Sequence, residues 1–199
     1  FGDSYAEYKI SEDRWLLDHI NPTHGYNAIA YWQDDIYSVG DAGLVNKNDE
    51  LVCELGSLCN FLENAGDFLV AGGQSGDVFN ALTGEVYYTH HSPLNCLVCF
   101  EKNGKPYAMV GTYTGEGVVF KVQEKGLVKV DSVKLHSNAI KGLAANREQI
   151  FSVCADASVS FYNIAEDYIE STVEEAHDKI VNDCCVDVHG HFYSVSRDL

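Results

Sequence analysis

Serine, histidine and aspartate, the residue types of a nucleophile triad, occur together twice toward the C-terminal end of this 199-residue chain: His136, Ser152 and Asp156, then His177, Ser194 and Asp198. Acyl transfer by such a set needs an exposed serine, a base within hydrogen-bond reach and an oxyanion pocket. Recurrence of the same types at nearly matched offsets points instead to a repeated scaffold. No Gly-x-Ser-x-Gly elbow is present to hold a serine on a sharp turn. Cys96-Leu-Val-Cys99 has the spacing of a redox or zinc half-site, but no second Cys-x-x-Cys completes it. It lies in the apolar run 94–100, where residues three apart on a strand face opposite sides, so both thiols are expected to pack between sheets. Cys184, Cys185, His189 and His191 have a metal-like composition. On the repeat below, however, His189-Gly190 is a hairpin turn and the two thiols alternate across a strand. His90-His91 is read alike, with His91 leading its unit. The glycine stretches 72–76 and 111–117 lack the Lys-Ser/Thr of a phosphate loop and read as tight turns. No catalytic, cofactor-binding or metal-ligand set is assigned, and the chain is not expected to be an enzyme.

The elements that carry these residues follow from composition. Hydrophobic residues make up 46% of the chain, Tyr, Phe and Val recur every few positions, Pro is rare, and 17 glycines punctuate the sequence. That mixture favours short strands joined by turns. No window of about 18 apolar residues occurs, so no membrane-spanning helix is expected. The formal charge is −17, with 3 arginines and 10 lysines, and an acidic surface repels phosphate. Nucleic acid and anionic membrane are therefore improbable partners. Seven cysteines, an odd number, sit mostly in apolar runs, which fits a reducing, cytoplasmic compartment rather than a disulfide framework. The chain begins at Phe1 and stops at Leu199 inside a strand-turn-strand pattern, so it reads as part of something longer.

A repeat runs through the sequence. His136-Ser-Asn-Ala-Ile-Lys-Gly-Leu leads into Gln149-Ile-Phe-Ser-Val-Cys-Ala-Asp156 and then Ser158-Val-Ser-Phe-Tyr-Asn-Ile164. His177-Asp-Lys-Ile-Val-Asn-Asp-Cys leads into His191-Phe-Tyr-Ser-Val-Ser-Arg-Asp198. The leading histidines lie 41 residues apart, within the period of a four-stranded propeller blade. Weaker copies begin at His24, with Ser38 and Asp41, and at His91; between them lies a copy with no leading histidine. The predicted division is a tail of one blade over 1–23, blades over 24–56, 57–90, 91–135 and 136–176, and a truncated blade over 177–199.

These motifs resemble the WD40 family over nearly the whole chain, and most strongly from residue 136 onward. In that family a repeat carries a His near its start, a Ser or Thr in the second strand, an Asp in the following turn and Trp-Asp closing the third strand. His136, Ser152 and Asp156 match in register, with Tyr162-Asn163 standing where Trp-Asp would. His177, Ser194 and Asp198 match likewise, and His24, Ser38 and Asp41 match with the spacing one short. No Trp-Asp dipeptide occurs, and Trp15 and Trp32 lie off the expected position. The resemblance implies an all-β propeller of four-stranded antiparallel blades, an incomplete ring of about five blades out of seven. It also implies a buried His–Ser–Asp–Tyr162 hydrogen-bond chain.

The function the resemblance implies is a scaffold that holds other proteins or peptides in an assembly, with the remainder of its own chain needed to close the ring. The loops entering first strands and joining second to third strands would form the binding rim, which places Tyr26, Asn27, Gln74, Tyr113, Asn138, Lys179 and Arg197 there. The rivals are a propeller enzyme with a site in the central channel and a regulatory arm of a larger protein. The first would need inward His, Asp or Arg repeated on first strands, and those strands are apolar or carry Cys and Asn.

Overall fold

The computed structural model describes residues 5–11, 14–21 and 25–198, with side chains described from Gly25 onward. Every regular element among the described residues is a β-strand. The pair β1 (Tyr5–Ser11) and β2 (Arg14–Asn21) is antiparallel. The first four-stranded sheet runs β3 (Tyr26–Trp32), β4 (Asp35–Gly40), β5 (Leu44–Lys47), β6 (Glu50–Glu54). The second runs β7 (Cys59–Ala65), β8 (Phe68–Gly73), β9 (Asp77–Asn80), β10 (Val86–Thr89). The third runs β11 (Leu94–Lys102), β12 (Lys105–Thr112), β13 (Glu116–Gln123), β14 (Gly126–Lys134). The fourth runs β15 (Ile140–Ala145), β16 (Gln149–Cys154), β17 (Val159–Asn163), β18 (Tyr168–Val173). A final antiparallel pair is β19 (Val181–Val186) and β20 (Phe192–Ser196).

Each sheet is a meander of sequential strands, because each turn carries residues able to reverse the chain within a few positions. Gln33-Asp34, Asn48-Asp49 and Asn103-Gly104 take positive φ at both central positions, the twist that suits two-residue hairpins. The first strands β3, β7, β11, β15 and β19 pack side by side in that order, so the sheets fan outward from a common inner edge. The described residues form an unclosed β-propeller arc.

The core is divided among the spaces between sheets. Strand alternation sends successive residues to different neighbours. Leu69 and Ala71 of β8 pack into the cluster with Val39 and Val45, whereas Val70 packs with Leu94, Val110 and Phe120. In β16, Ile150 joins Met109 and Leu135, while Phe151 turns the other way toward Val181 and Phe192. Both faces of a blade are thus covered, which is why its second strand reads as a mostly apolar run rather than an alternating one.

A single turn position ties each blade to the segment entering the next. The carbonyls of Gly43, Gly76, Gly115 and Ala157 accept the amides of Leu55 (2.8 Å), His90 (2.8 Å), His136 (3.1 Å) and His177 (3.3 Å). All four acceptor residues have positive φ. A Cβ on Gly115 would fall 2.2 Å from the His136 carbonyl oxygen. Ala157 carries its Cβ at φ 70°, a conformation costing roughly 1–2 kcal/mol for a non-glycine residue. Gly115→Ala is therefore expected to destabilise the protein by more than about 1 kcal/mol, and Ala157→Gly to stabilise it by up to about 1 kcal/mol. Urea unfolding of the two variants checks this, and shifts of the same sign in both would contradict it.

Candidate functional site

In the fourth blade, His136 enters from the loop before β15, Ser152 projects from β16, and Asp156 and Ser158 stand on either side of left-handed Ala157. The imidazole is buried, with Nε2 2.8 Å from the Ser152 hydroxyl and Nδ1 2.8 Å from the Ser158 hydroxyl. Ser158 donates both its hydroxyl (2.5 Å) and its amide (3.0 Å) to Asp156 Oδ1, and Ser137 donates to Oδ2 at 2.9 Å. These bonds fix one direction of donation. With its proton given to Asp156, the Ser158 oxygen must accept from Nδ1–H; Nε2, unprotonated in the neutral ring that burial favours, then accepts from Ser152. The ring is neutral, and the chain of donors ends on a carboxylate.

The electrostatics agree. Burial holds the His136 pKa below its ordinary value of 6.5, against the opposing pull of the Asp156 charge. Burial works to raise the Asp156 carboxyl, but hydrogen bonds from the Ser158 hydroxyl, the Cys154 thiol, the Ser158 amide and Ser137 outweigh it and hold the group at about 2. Ser152 is 1% exposed, so its hydroxyl faces the ring and the strand rather than a substrate.

The other units vary this theme. In the last pair, His177 Nε2 lies 2.8 Å from the Ser194 hydroxyl and Nδ1 lies 2.9 Å from Asp198 Oδ2, with no intervening serine. In the third blade the buried leading histidine is His90; His91, expected in that role, is exposed. The register explains the difference, because His90, His136 and His177 each stand four residues before the first residue of their first strand. Val110 occupies the place of Ser152, so the His90 ring turns to the next turn and sets Nε2 3.0 Å from Glu116 Oε2. His24 lies outside the described residues. Of its expected partners, Ser38 is buried, and Asp41 accepts from Asn27 Nδ2 at 2.8 Å.

Tyr162 does not join the network as the resemblance implied. Its ring packs with Ile140, Leu143 and Ile150, and its hydroxyl donates to Asp167 Oδ1 at 2.9 Å. A phenol carries its donor at the far tip of the ring, beyond the histidine. Burial and Asp167 together raise the phenol strongly, and Asp167 is also bridged to Lys102 of the preceding blade. Ser160 of β17 stands beside Ser152 instead: its carbonyl lies 3.3 Å from the Ser152 hydroxyl, and its own hydroxyl meets Thr172 at 2.9 Å.

Along the inner edge is a second repeated device that the sequence reading did not single out. Every first strand breaks register at its second residue: Asn27, Asn60, Asn95, Lys141 and Asn182. A bulge takes that residue out of the ladder and re-aims its side chain. Asn27 donates to the Cys59 carbonyl at 3.2 Å, Asn60 to Leu94 at 2.7 Å and Asn95 to Ile140 at 2.7 Å. Each link joins one bulge to the residue preceding the next bulge. The signal in the sequence is the recurrence of Asn one residue after Tyr26, Cys59, Leu94 and Val181. Nearby, Cys96 packs toward the fourth blade, where burial pushes its thiol up to about 12, while Cys99 is exposed and donates to the Asn64 carbonyl at 2.9 Å. The two cysteines face opposite sides.

The expected rim is formed in part. The first residue of each first strand pairs with the last of the second strand, so the entering loops and the second-to-third turns share one end of the blades. Gln74, Tyr113, Asn138, Lys179 and Arg197 are exposed there. Tyr26 and Asn27 are not rim residues. Tyr26 is 2% exposed, since it opens an inner strand, and Asn27 is committed to Cys59 and Asp41. Lys141, bulged from β15, lies with its ammonium 5.7 Å from the centroid of the Tyr113 ring.

Removing the imidazole takes one buried partner from each of the Ser152 and Ser158 hydroxyls, so His136→Ala is expected to cost roughly 1–3 kcal/mol near neutral pH. The unfolded ring takes up a proton around 6.5 while the folded ring resists it. The His136 contribution is therefore fully present above that value and is lost as pH falls through the lowered folded value. Denaturant unfolding at about pH 7.5 and about pH 5.5 should show the gap between wild type and His136→Ala narrowing on acidification. A gap that widened would contradict the neutral assignment.

No family model matches the chain, and no curated protein matches it. Solved structures do resemble it. The computationally designed Ika8 protein superposes with a TM-score of 0.71 at 18% identity, over 92% of this chain and 59% of its own. Sqt1 of Saccharomyces cerevisiae superposes with a TM-score of 0.73 at 11% identity, over 98% of this chain and 63% of its own. The chain spans about three-fifths of the length of each, and at these identities the likeness is one of fold.

Proposed function

We propose that this chain is a divergent WD40-type propeller that acts as a protein-binding platform, with no catalysis of its own. The observation that carries this reading is the pairing of Tyr113, 41% exposed on the rim, with Lys141 held over its ring. An aromatic face braced by a cation presents a large amphipathic contact area with little rotamer freedom left to lose, as an interface anchor requires. Its mounting is rigid, because the Tyr113 amide is bonded to the Pro93 carbonyl at 2.9 Å and the turn below it closes on Gly115. Arg197, Lys179, Asn138 and Gln74 lie exposed along the same end. The reading without catalysis is supported by the inward commitment of the serine, histidine and aspartate side chains, whose donors and acceptors serve one another.

Affinity capture with the full chain, comparing wild type with a Tyr113→Ala/Arg197→Glu variant, tests the proposal. The expected result is a partner protein retained by wild type and reduced roughly tenfold or more by the variant, at unchanged melting temperature. Partners recovered equally by both would place the binding surface elsewhere and overturn the rim assignment.

A further inference from the structure

The third blade departs from its neighbours at one place. In the fourth blade, His136 is satisfied by two serine hydroxyls, and the residue following left-handed Ala157 is Ser158. In the third blade, the residue following left-handed Gly115 is Glu116, the strand serine is replaced by Val110, and a second histidine, His91, directly follows the buried one. A scaffold position that needs only a hydroxyl carries a carboxylate here, and one further imidazole stands beside the leading histidine. The His90 and His91 ring centroids are 4.1 Å apart. One nitrogen of each ring and one Glu116 oxygen all lie within 4.8 Å of one another.

We propose that His90, His91 and Glu116 form a binding site for a divalent transition-metal ion of the zinc class. Bonds of 2.0–2.2 Å in a tetrahedron place ligand atoms about 3.3 Å apart. The edge between His90 Nε2 and Glu116 Oε2 is already 3.0 Å. The third ligand, His91, is exposed, and its ring makes no hydrogen bond among the described residues, so it is free to close the remaining distance. Water fills the fourth position.

The surroundings supply the outer hydrogen bonds such a site uses. A ligating histidine usually donates its other ring N–H to a backbone carbonyl, which fixes the tautomer. The Ser92 carbonyl lies 3.3 Å from His90 Nδ1. Without metal, Nδ1 accepts the Ser92 amide at 3.1 Å and Nε2–H donates to Glu116. On binding, the ring proton moves from Nε2 to Nδ1, the Ser92 amide gives up its bond to Nδ1, and Nε2 is freed for the ion with no net proton lost from His90. Thr114 donates to Glu116 Oε2 at 3.1 Å and is itself met by the Ser92 and Thr112 hydroxyls, which orients the carboxylate. The other set with ligand geometry, His136, Cys154 and Asp156, is less open to an ion: its imidazole is held between two serine hydroxyls, its thiol is buried, and only its carboxylate is exposed.

The test is calorimetric titration of the chelator-treated full chain with Zn²⁺, followed by Co²⁺ substitution. We expect one equivalent of Zn²⁺ per chain and cobalt ligand-field bands without a thiolate charge-transfer band. His91→Ala should weaken binding roughly tenfold or more while leaving the metal-free melting temperature unchanged, because His91 is exposed. His191→Ala, on an exposed turn far along the chain, should bind as wild type does. Absence of stoichiometric binding, undiminished binding by His91→Ala, or a thiolate band with cobalt would each overturn the site.

Discussion

Each blade is apolar on both faces, and neither face has any cover except the blade beside it. A lone four-stranded sheet of this composition would leave Leu69 and Ala71 on one side and Val70 on the other in contact with water. At roughly 25 cal/mol per Å² of apolar surface, that exposure costs several kcal/mol per sheet. Stacking removes it from both sides at once, so stability is shared between neighbours rather than owned by a blade. The four clusters between successive sheets are the physical form of that sharing.

Burial on both faces then dictates how polar groups are handled. Where the chain must cross from one blade to the next, backbone and side-chain donors come within apolar surroundings and have to be satisfied there. The structure uses three repeated devices: the left-handed turn carbonyl that accepts the next leading amide, the histidine that ties its loop to the second strand and turn, and the bulged asparagine that reaches the next inner strand. No buried side-chain nitrogen or oxygen among the described residues lacks a partner. Because the devices are redundant, single blades can lose one. Leu55 stands in the histidine register of the second blade and is simply buried. Lys141 replaces an asparagine and reaches out to Tyr113; Glu116 replaces a serine and meets His90. The binding roles proposed above lie at the departures, while the repeats carry the architecture.

This division explains what could be read from the sequence. Apolar runs, turn residues and the recurrence of His136, Ser152 and Asp156 with His177, Ser194 and Asp198 follow from local chemistry at fixed spacing, and they locate strands and repeat. Ser158 was not singled out, because insertion of a hydroxyl between imidazole and carboxylate depends on the left-handed turn at Ala157. Assignment of His91 over His90 erred by one residue, since only strand register says which of two adjacent rings is buried. Tyr26 read as a loop aromatic until pairing with Gly40 placed it at the start of an inner strand. Tyr162 occupied the right position with the wrong reach. The inter-blade asparagines were present in plain view, yet their role needs a neighbouring strand that no single repeat contains.

If stability is shared through covered faces, amide hydrogen exchange should be ordered by how many neighbours a strand has. The slowest amides are expected in β8, β12 and β16, central strands of blades covered on both sides, and β20 should exchange far faster although it pairs with β19 through the same bulged ladder that joins β15 to β16. Residue-resolved exchange on the full chain measures this directly. Protection in β20 equal to that in β16 would show that pairing within a blade, rather than packing between blades, holds the molecule together, and would contradict shared stability.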